Sequence, residues 1–352
     1  MLQNATIMIP DISGYTDFLT TTELEHSSHI INELLDLLVD CNNIELTLLE
    51  VEGDALLFYR KGDPIELKPL IQQCISMFEK FHEHIGIIER DTICQCGACQ
   101  TASNLSLKFI IHYGAVKELM VSGFKKASGV DMVIAHRLLK NRIGSNEYIL
   151  ITRNYLNNLS DKQPASDLTW QLGNEEYPAI GNIEYEYALL DGGKRRIPPI
   201  PERVEQVIKS GDNIHEIEIA SSLHDVYREI IDIDRRSKWV LGSQVMEREE
   251  VTERIGLKHL CLYQEMMFEI IIVESRIGDS EILYAEDVIA VESGTRFRHT
   301  YSLSSLSDQR TRLRFGRKYI DGPEIPQEIN NNIWMLLKKN LEVLKHLCEM
   351  NL

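Results

Sequence analysis

The sequence predicts an α+β protein of two domains, and three observations carry that reading. Short apolar strand-like runs alternate with amphipathic helical stretches up to about residue 190. A basic, Gly- and Pro-rich segment, Asp191-Gly192-Gly193-Lys194-Arg195-Arg196-Ile197-Pro198-Pro199-Ile200-Pro201, then breaks the pattern. Beyond it, a run of alternating strands ends in one long amphipathic helix. A chain of 352 residues is also long for a single core. The expected bounds are 1–191 for the first domain, 192–212 for a linker and 213–352 for the second domain.

The elements follow in order. Residues 5–10 are apolar and strand-like, and Gly14 opens a helical stretch, which sets Asp11 at a strand-to-helix corner. Thr22 and Glu25 spell a capping box, followed at helical spacing by Leu24, Ile30, Ile31, Leu34, Leu35 and Leu38. Residues 44–51 and 55–59 read as strands joined through Glu52-Gly53-Asp54. Residues 64–85 form a helix with Leu67, Leu70, Ile71, Cys74, Ile75, Phe78 and Phe81 inward. A strand at 105–113, a helix at 130–140 and strands at 148–152 and 182–190 complete the first domain. The second begins with a strand at 215–220 and a helix at 222–231 capped by Ser222. Strands at 251–263, 265–274, 282–291, 296–303 and 310–319 follow. The closing helix carries Ile329, Ile333, Leu336, Leu337, Leu344 and Leu347 on one side.

Composition narrows the function. Hydrophobic content of 43% suits packed domains, and a net charge of −17 argues against nucleic acid and anionic membrane surfaces as partners. No apolar run reaches membrane-spanning length, and no basic stretch precedes an apolar core near the N-terminus, so a cytoplasmic protein is expected. Seven scattered cysteines fit reduced thiols better than a disulfide framework.

Two short motifs concentrate the chemistry: Pro10-Asp11-Ile12-Ser13-Gly14-Tyr15-Thr16 and Glu52-Gly53-Asp54-Ala55. Each sets a carboxylate at a strand end beside a glycine. Two such carboxylates can share divalent metals, Mg2+ or Mn2+, while backbone N–H groups after Asp11 cradle phosphates. That layout suits phosphoryl transfer on a nucleoside triphosphate.

These residues resemble the class III adenylate and guanylate cyclases. Ile111-His112-Tyr113-Gly114-Ala115-Val116 resembles a glycine-containing strand of that family, and Gly129-Val130-Asp131-Met132-Val133-Ile134-Ala135-His136-Arg137-Leu138 resembles its arginine-bearing helix. The four segments lie in the family's order over roughly residues 1–190. The resemblance implies a ferredoxin-like α/β sandwich acting as a head-to-tail homodimer. It implies Asp11 and Asp54 as metal ligands, Ser13, Gly14, Tyr15 and Thr16 around the phosphates, and Arg137 as the catalytic arginine. Glu50, four residues before Asp54, implies guanine over adenine, whereas Lys126 at the second base-choice position matches neither. Val133 stands where the family has its ribose-positioning Asn, and Asn141 lies on the wrong side to replace it. Tyr177-Pro178-Ala179-Ile180-Gly181-Asn182 lacks the family's triphosphate lysine. In the second domain, Ser222 with Val226-Tyr227, then Asp234 with Trp239, resembles the START-like (SRPBCC) helix-grip fold. That resemblance implies an apolar ligand held between sheet and closing helix, with Tyr263, Met267, Tyr284 and Phe297 as wall residues.

Cys94-Gln95-Cys96-Gly97-Ala98-Cys99 is a separate feature. Three close thiolates suit zinc, with His82, His84 or a partner subunit as the source of a fourth ligand. A redox-active thiol cluster and inert thiols are the alternatives. His112 reads as a core or interface residue and His136 as a surface one, while His259 with Cys261 reads as a buried pair in preference to a cavity lining. Glu247, Glu249, Glu250 and Glu253 read as a solvated acidic face. Two functions remain open. One is an active two-metal cyclase. The other is a nucleotide- or metal-binding regulatory protein without efficient turnover, favoured by Val133 and the missing lysine.

Overall fold

The computed structural model of the chain describes residues 2–122, 124–160, 168–190, 192, 197–203, 213–248, 253–263 and 265–350. They divide into two compact units, residues 1–89 with 96–201 and residues 90–95 with 202–352. Residues 193–196 and 204–212 of the expected linker lie outside the described set.

The first unit runs β1 (Leu2–Ser13), α1 (Tyr15–Thr21), α2 (Leu24–Asp40), β2 (Thr47–Glu52), β3 (Ala55–Lys61) and α3 (Leu67–Asp91). It continues through α4 (Gly97–Thr101), β4 (Ser106–Val121), β5 (Phe124–Ser128), α5 (Val130–Arg137), β6 (Tyr148–Thr152), α6 (Arg153–Asn157), β7 (Trp170–Tyr177) and β8 (Gly181–Leu189). The strands form one sheet in the order β2-β3-β1-β4-β6-β8-β7, with β5 folded back on the far end of β4. Both faces of its centre are covered. Ala5, Ile7 and Ile9 pack with Met132 and Ala135 of α5 and with Leu138 just beyond it, while Met8 meets Cys74 of α3 on the other side. Strands buried on two faces read as unbroken apolar runs, which is why β3 and β6 carry no polar alternation.

Several local expectations change. β1 continues through Asp11 to Ser13, so Asp11 stands inside a strand, and the turn begins at Gly14, whose φ of 90° suits a residue without a Cβ. The Thr22–Glu25 capping box does not form. α2 starts at Leu24 after Glu23, and Thr22 Oγ1 instead donates to the Phe18 carbonyl at the end of α1. α5 ends at Arg137, short of residue 140, and β5, β7, α4 and α6 were not legible in the pattern.

The second unit runs β9 (Asn213–Ile219), α7 (Leu223–Ile231), α8 (Ile233–Arg236), β10 (Ser243–Arg248), β11 (Lys258–Tyr263), β12 (Met266–Ile277), β13 (Glu281–Ala290), β14 (Arg296–Ser307), β15 (Arg310–Asp321) and α9 (Gln327–Met350). Its sheet has the order β10-β11-β12-β13-β14-β15-β9, every pairing antiparallel. Ser222 caps α7 through the Asp225 N–H, as its sequence indicates. The core gathers Tyr227, Trp239, Tyr284, Tyr301, Phe315, Leu341 and Leu344. Leu341, Leu344 and Cys348 are buried, whereas Ile329 is half exposed, so α9 is seated by its C-terminal half. Residues 90–95 join this unit: Thr92 bridges to Arg254, and the Ile93 N–H donates to the Glu253 carbonyl. Glu253 is therefore buried rather than part of a solvated acidic face, and Glu249 and Glu250 lie outside the described residues.

Candidate functional site

Strand register builds the first site. β1 lies antiparallel between β3 and β4, which sets Asp11 opposite Ala55 on one side and Lys108 on the other. The Ile12 N–H donates to the Asp54 carbonyl at 3.0 Å, tying the β2–β3 turn to the strand that carries Asp11. A cleft of about 240 Å³ opens there. Asp11, Asp54, Ser13, Gly14, Tyr15 and Thr16 all line it, joined by Asp17, Lys108 and Asn146. Burial, and then the charge of Asp11, raise the Asp54 carboxyl above the ordinary aspartate value, while Lys108 acts in the opposite direction. Such a carboxylate gains most from a nearby cation.

A cation is already present. Lys108 Nζ lies 2.7 Å from Asp11 Oδ2 as a cross-strand ion pair, with both side chains largely buried. Sequence reading missed Lys108, although a charge between Leu107 and Phe109 inside an apolar run was the available signal.

The remaining cyclase-like positions stand outside the lining of this cleft. Arg137 is exposed at the end of α5, and its carbonyl accepts from Tyr177 Oη. Val133 is also exposed. Glu50 and Lys126, to which the resemblance assigns base choice, come together at 3.7 Å, and Glu50, Glu52 and His136 offer ligand atoms within 4.8 Å of one another. Asp131 is structural. Its carboxylate takes bonds from His112 Nε2 at 2.9 Å and the Ala115 N–H at 2.8 Å. A Cβ on Gly114 would lie 2.1 Å from the Asp131 Cγ, so the glycine admits the carboxylate that clamps α5 to β4. Burial raises the Asp131 carboxyl, but these bonds prevail and hold it below the ordinary range. His112 is accordingly a buried core residue, bonded also to Thr152 Oγ1.

The cysteine segment forms a second cluster. His26 Nδ1, on the first turn of α2, lies 3.2 Å from Cys96 Sγ and 3.7 Å from Cys99 Sγ. With Cys94, these ligand atoms all fall within 4.8 Å of one another. Neither expected histidine takes part. His82 faces Glu147 at 3.3 Å between the rings of Phe78 and Phe81, and His84 pairs with Glu33 at 2.6 Å. All seven cysteines are free of disulfides.

In the second unit, the four expected wall residues differ in their surroundings. Tyr284 is fully buried and donates to Glu286, which Arg236 also engages at 2.5 Å. Phe297 carries the Arg317 guanidinium 3.6 Å above its ring. Trp334 of α9 stacks on Phe315. Tyr263 and Met267 are half-buried, as are Ile333, Leu336 and Leu337 of α9. His259 and Cys261 are buried, and burial pushes the Cys261 thiol up to about 11.

Comparison with known proteins adds the following. A family model described as a protein of unknown function (DUF2652) matches residues 31–148. The uncharacterized protein Rv2561/Rv2562 of Mycobacterium tuberculosis (strain ATCC 25618 / H37Rv) is 32% identical over 120 residues, 34% of this chain and 56% of that protein. The chain thus spans about half the length of the curated relative it matches. Among solved structures, the guanylyl cyclase domain of the RhoGC fusion protein from the aquatic fungus Blastocladiella emersonii is 14% identical. That match covers 54% of this chain and 98% of that one, with a TM-score of 0.38. The catalytic core of a rhodopsin-guanylyl cyclase with converted specificity, in complex with ATPαS, is 16% identical, covering 53% and 97%, with a TM-score of 0.37. Over about half its length, then, this mixed α+β chain has adenylyl and guanylyl cyclase domains as structural neighbours. At such identity and TM-score, the likeness is one of outline and carries no argument about reaction. No described helix is long and apolar enough to cross a membrane.

Proposed function

We propose that residues 1–191 form a cyclase-like, nucleotide- and metal-binding regulatory domain without efficient turnover, joined to a START-like helix-grip domain at 213–352. The observation that carries this reading is the cleft in which Asp11 and Asp54 meet Lys108. Two carboxylates and the Ser13–Thr16 turn suit a metal-bound nucleoside triphosphate, with Mg2+ or Mn2+ as the ion. The ammonium on Asp11 competes for that ion, and Val133 supplies no hydrogen bond to a ribose. Both features lower turnover more than binding, because positioning groups act chiefly in the transition state. In a homodimer, Arg137 and Glu50 belong to the partner's cleft, which accords with their absence from the lining of their own. Zinc is the soft metal that suits Cys94, Cys96 and Cys99. For the second domain, the half-buried inner stripe of α9, Ile333, Leu336 and Leu337, supports an apolar ligand. Free cysteines agree with a cytoplasmic setting.

The competing reading, an active two-metal cyclase, is favoured by the raised Asp54 carboxyl beside Asp11. One experiment separates them. The purified full chain is titrated with fluorescent GTP and ATP analogues with and without Mn2+, and cyclic product is measured on the same samples. Mn2+-dependent binding lost in Asp11→Asn and Asp54→Asn, with little cyclic product, is expected. Turnover near a typical ~10 s⁻¹, abolished by Asp54→Ala, would establish the cyclase, and no binding at all would end the nucleotide reading.

A further inference from the structure

We infer that His26 completes a closed Cys3His zinc site with Cys94, Cys96 and Cys99, and that this site pins the start of α2 to the α4 loop. The inference rests on the zinc reading of the three cysteines and names the ligand that turns an open site into a structural one.

Geometry carries it. In a tetrahedral site, Zn–S bonds of about 2.3 Å and Zn–N bonds of about 2.0–2.1 Å set neighbouring donors roughly 3.5–3.8 Å apart. The His26 Nδ1 distances of 3.2 and 3.7 Å to Cys96 and Cys99 fall on either side of the roughly 3.6 Å expected between a nitrogen and a sulfur donor. Only Gln95 separates Cys94 from Cys96, so the chain itself keeps the third sulfur beside the second. Cys96 is also the N-cap of α4, and its Sγ accepts the Cys99 N–H at 3.5 Å. Cys94 and Cys99 are buried and His26 is half-buried, so an ion here is shielded from bulk water. With four protein donors there is no open coordination position, and the site is structural in type.

What it would hold is equally specific. Gly97 lies against Thr21, Thr22 and Glu23, and the Ala98 N–H reaches Glu23 Oε2 at 3.4 Å. The cluster therefore sits at the α1–α2 corner. α1 is the helix that leaves the Asp11 cleft through Gly14 and Tyr15. Zinc at this corner steadies that wall of the cleft without touching its ligands.

The test uses the full chain purified without added metal. Elemental analysis should find about one zinc per chain. Replacement by Co2+ should produce thiolate-to-cobalt charge transfer and the strong visible bands of a four-coordinate site. His26→Ala should lose at least tenfold in zinc retention against a competing chelator and weaken those bands. His26→Cys should restore both, with a four-thiolate spectrum, which a merely structural histidine would not permit. Unchanged zinc affinity and an unchanged cobalt spectrum in His26→Ala would overturn His26 as a ligand and leave the three-cysteine reading standing. Absence of metal from the wild-type protein, with three freely titrating thiols under native conditions, would overturn both.

Discussion

Each unit buries a carboxylate against a cation, and the two pairs differ in what surrounds them. In the first, Lys108 meets Asp11 at the edge of a cleft that also holds Asp54. In the second, Arg236 and Glu286 are sealed, with side chains 6% and 2% exposed. Arg236 gives two further donors to the Ile230 carbonyl and Tyr284 Oη, while Glu286 takes the Tyr284 hydroxyl as well. The second pair is held by further hydrogen bonds inside the core, whereas the first borders a cleft. An ion pair whose remaining lone pairs face a cleft can exchange partners for a ligand. One held by further hydrogen bonds inside the core acts as a strut.

Removing one partner is the strongest way to break this contrast. Arg236→Met leaves Glu286 charged, buried and uncompensated, and should destabilise the second unit by about 3–5 kcal/mol in denaturant unfolding. Adding Glu286→Leu should return much of that loss, because the stranded charge is gone. A loss under about 1 kcal/mol for the single variant would mean that water reaches the pair.

Acid should find the sealed unit next. Burial lowers the His299 imidazole to about 4, against an unfolded value near 6.5. The folded state thus binds its proton later than the unfolded state. Stability present above about pH 6.5 is lost as pH falls from there toward 4, by up to about 3 kcal/mol from this group. Unfolding free energies at pH 7.5, 5.5 and 4.5 check the slope, and His299→Gln should flatten it. A slope identical in the variant would assign the acid sensitivity to other groups.

In the first unit the clamp between α5 and β4 is the comparable test. Gly114→Ala drives a Cβ into the Asp131 carboxylate and should cost about 1–3 kcal/mol. Thermal unfolding that matches wild type would mean that α5 can withdraw from β4 without penalty.

The smallest expected effect concerns exchange at the cleft itself. Lys108→Met frees Asp11 and should raise Mn2+ affinity on the order of tenfold, equivalent to about 1.4 kcal/mol. Because the Asp54 carboxyl is raised by burial and by Asp11, Mn2+ affinity should fall with acid beginning above the usual aspartate range. Calorimetric titrations at several pH values measure both. Affinity unchanged in Lys108→Met would remove the lysine as the competitor of the metal.

Much of the secondary structure was readable because burial imposes a period or an apolar run. β6 was bounded as it occurs, and α7 with its Ser222 cap was recognisable from local chemistry. β5 and β7 escaped because Lys125 and Lys126 interrupt one, while Glu175 and Glu176 interrupt the other. Their pairing is supplied by β4 and β8, not by their own pattern. The Thr22 capping box matched a local motif, but the Thr22 hydroxyl found a nearer acceptor at the end of α1.

The candidate sites divide along the same line. Sequence alone determined that Asp11 and Asp54 each flank a glycine near a strand end, and that Cys94, Cys96 and Cys99 are close, since neighbours along a chain are neighbours in space. Tertiary structure alone decided that Lys108 faces Asp11 across a strand pair, and that His26 rather than His82 or His84 meets the cysteines. Those partners lie 97 and 70 residues away along the chain, so no local period reports them. The register of β1 on β4 determines the first, and the turn of α2 against the α4 loop determines the second.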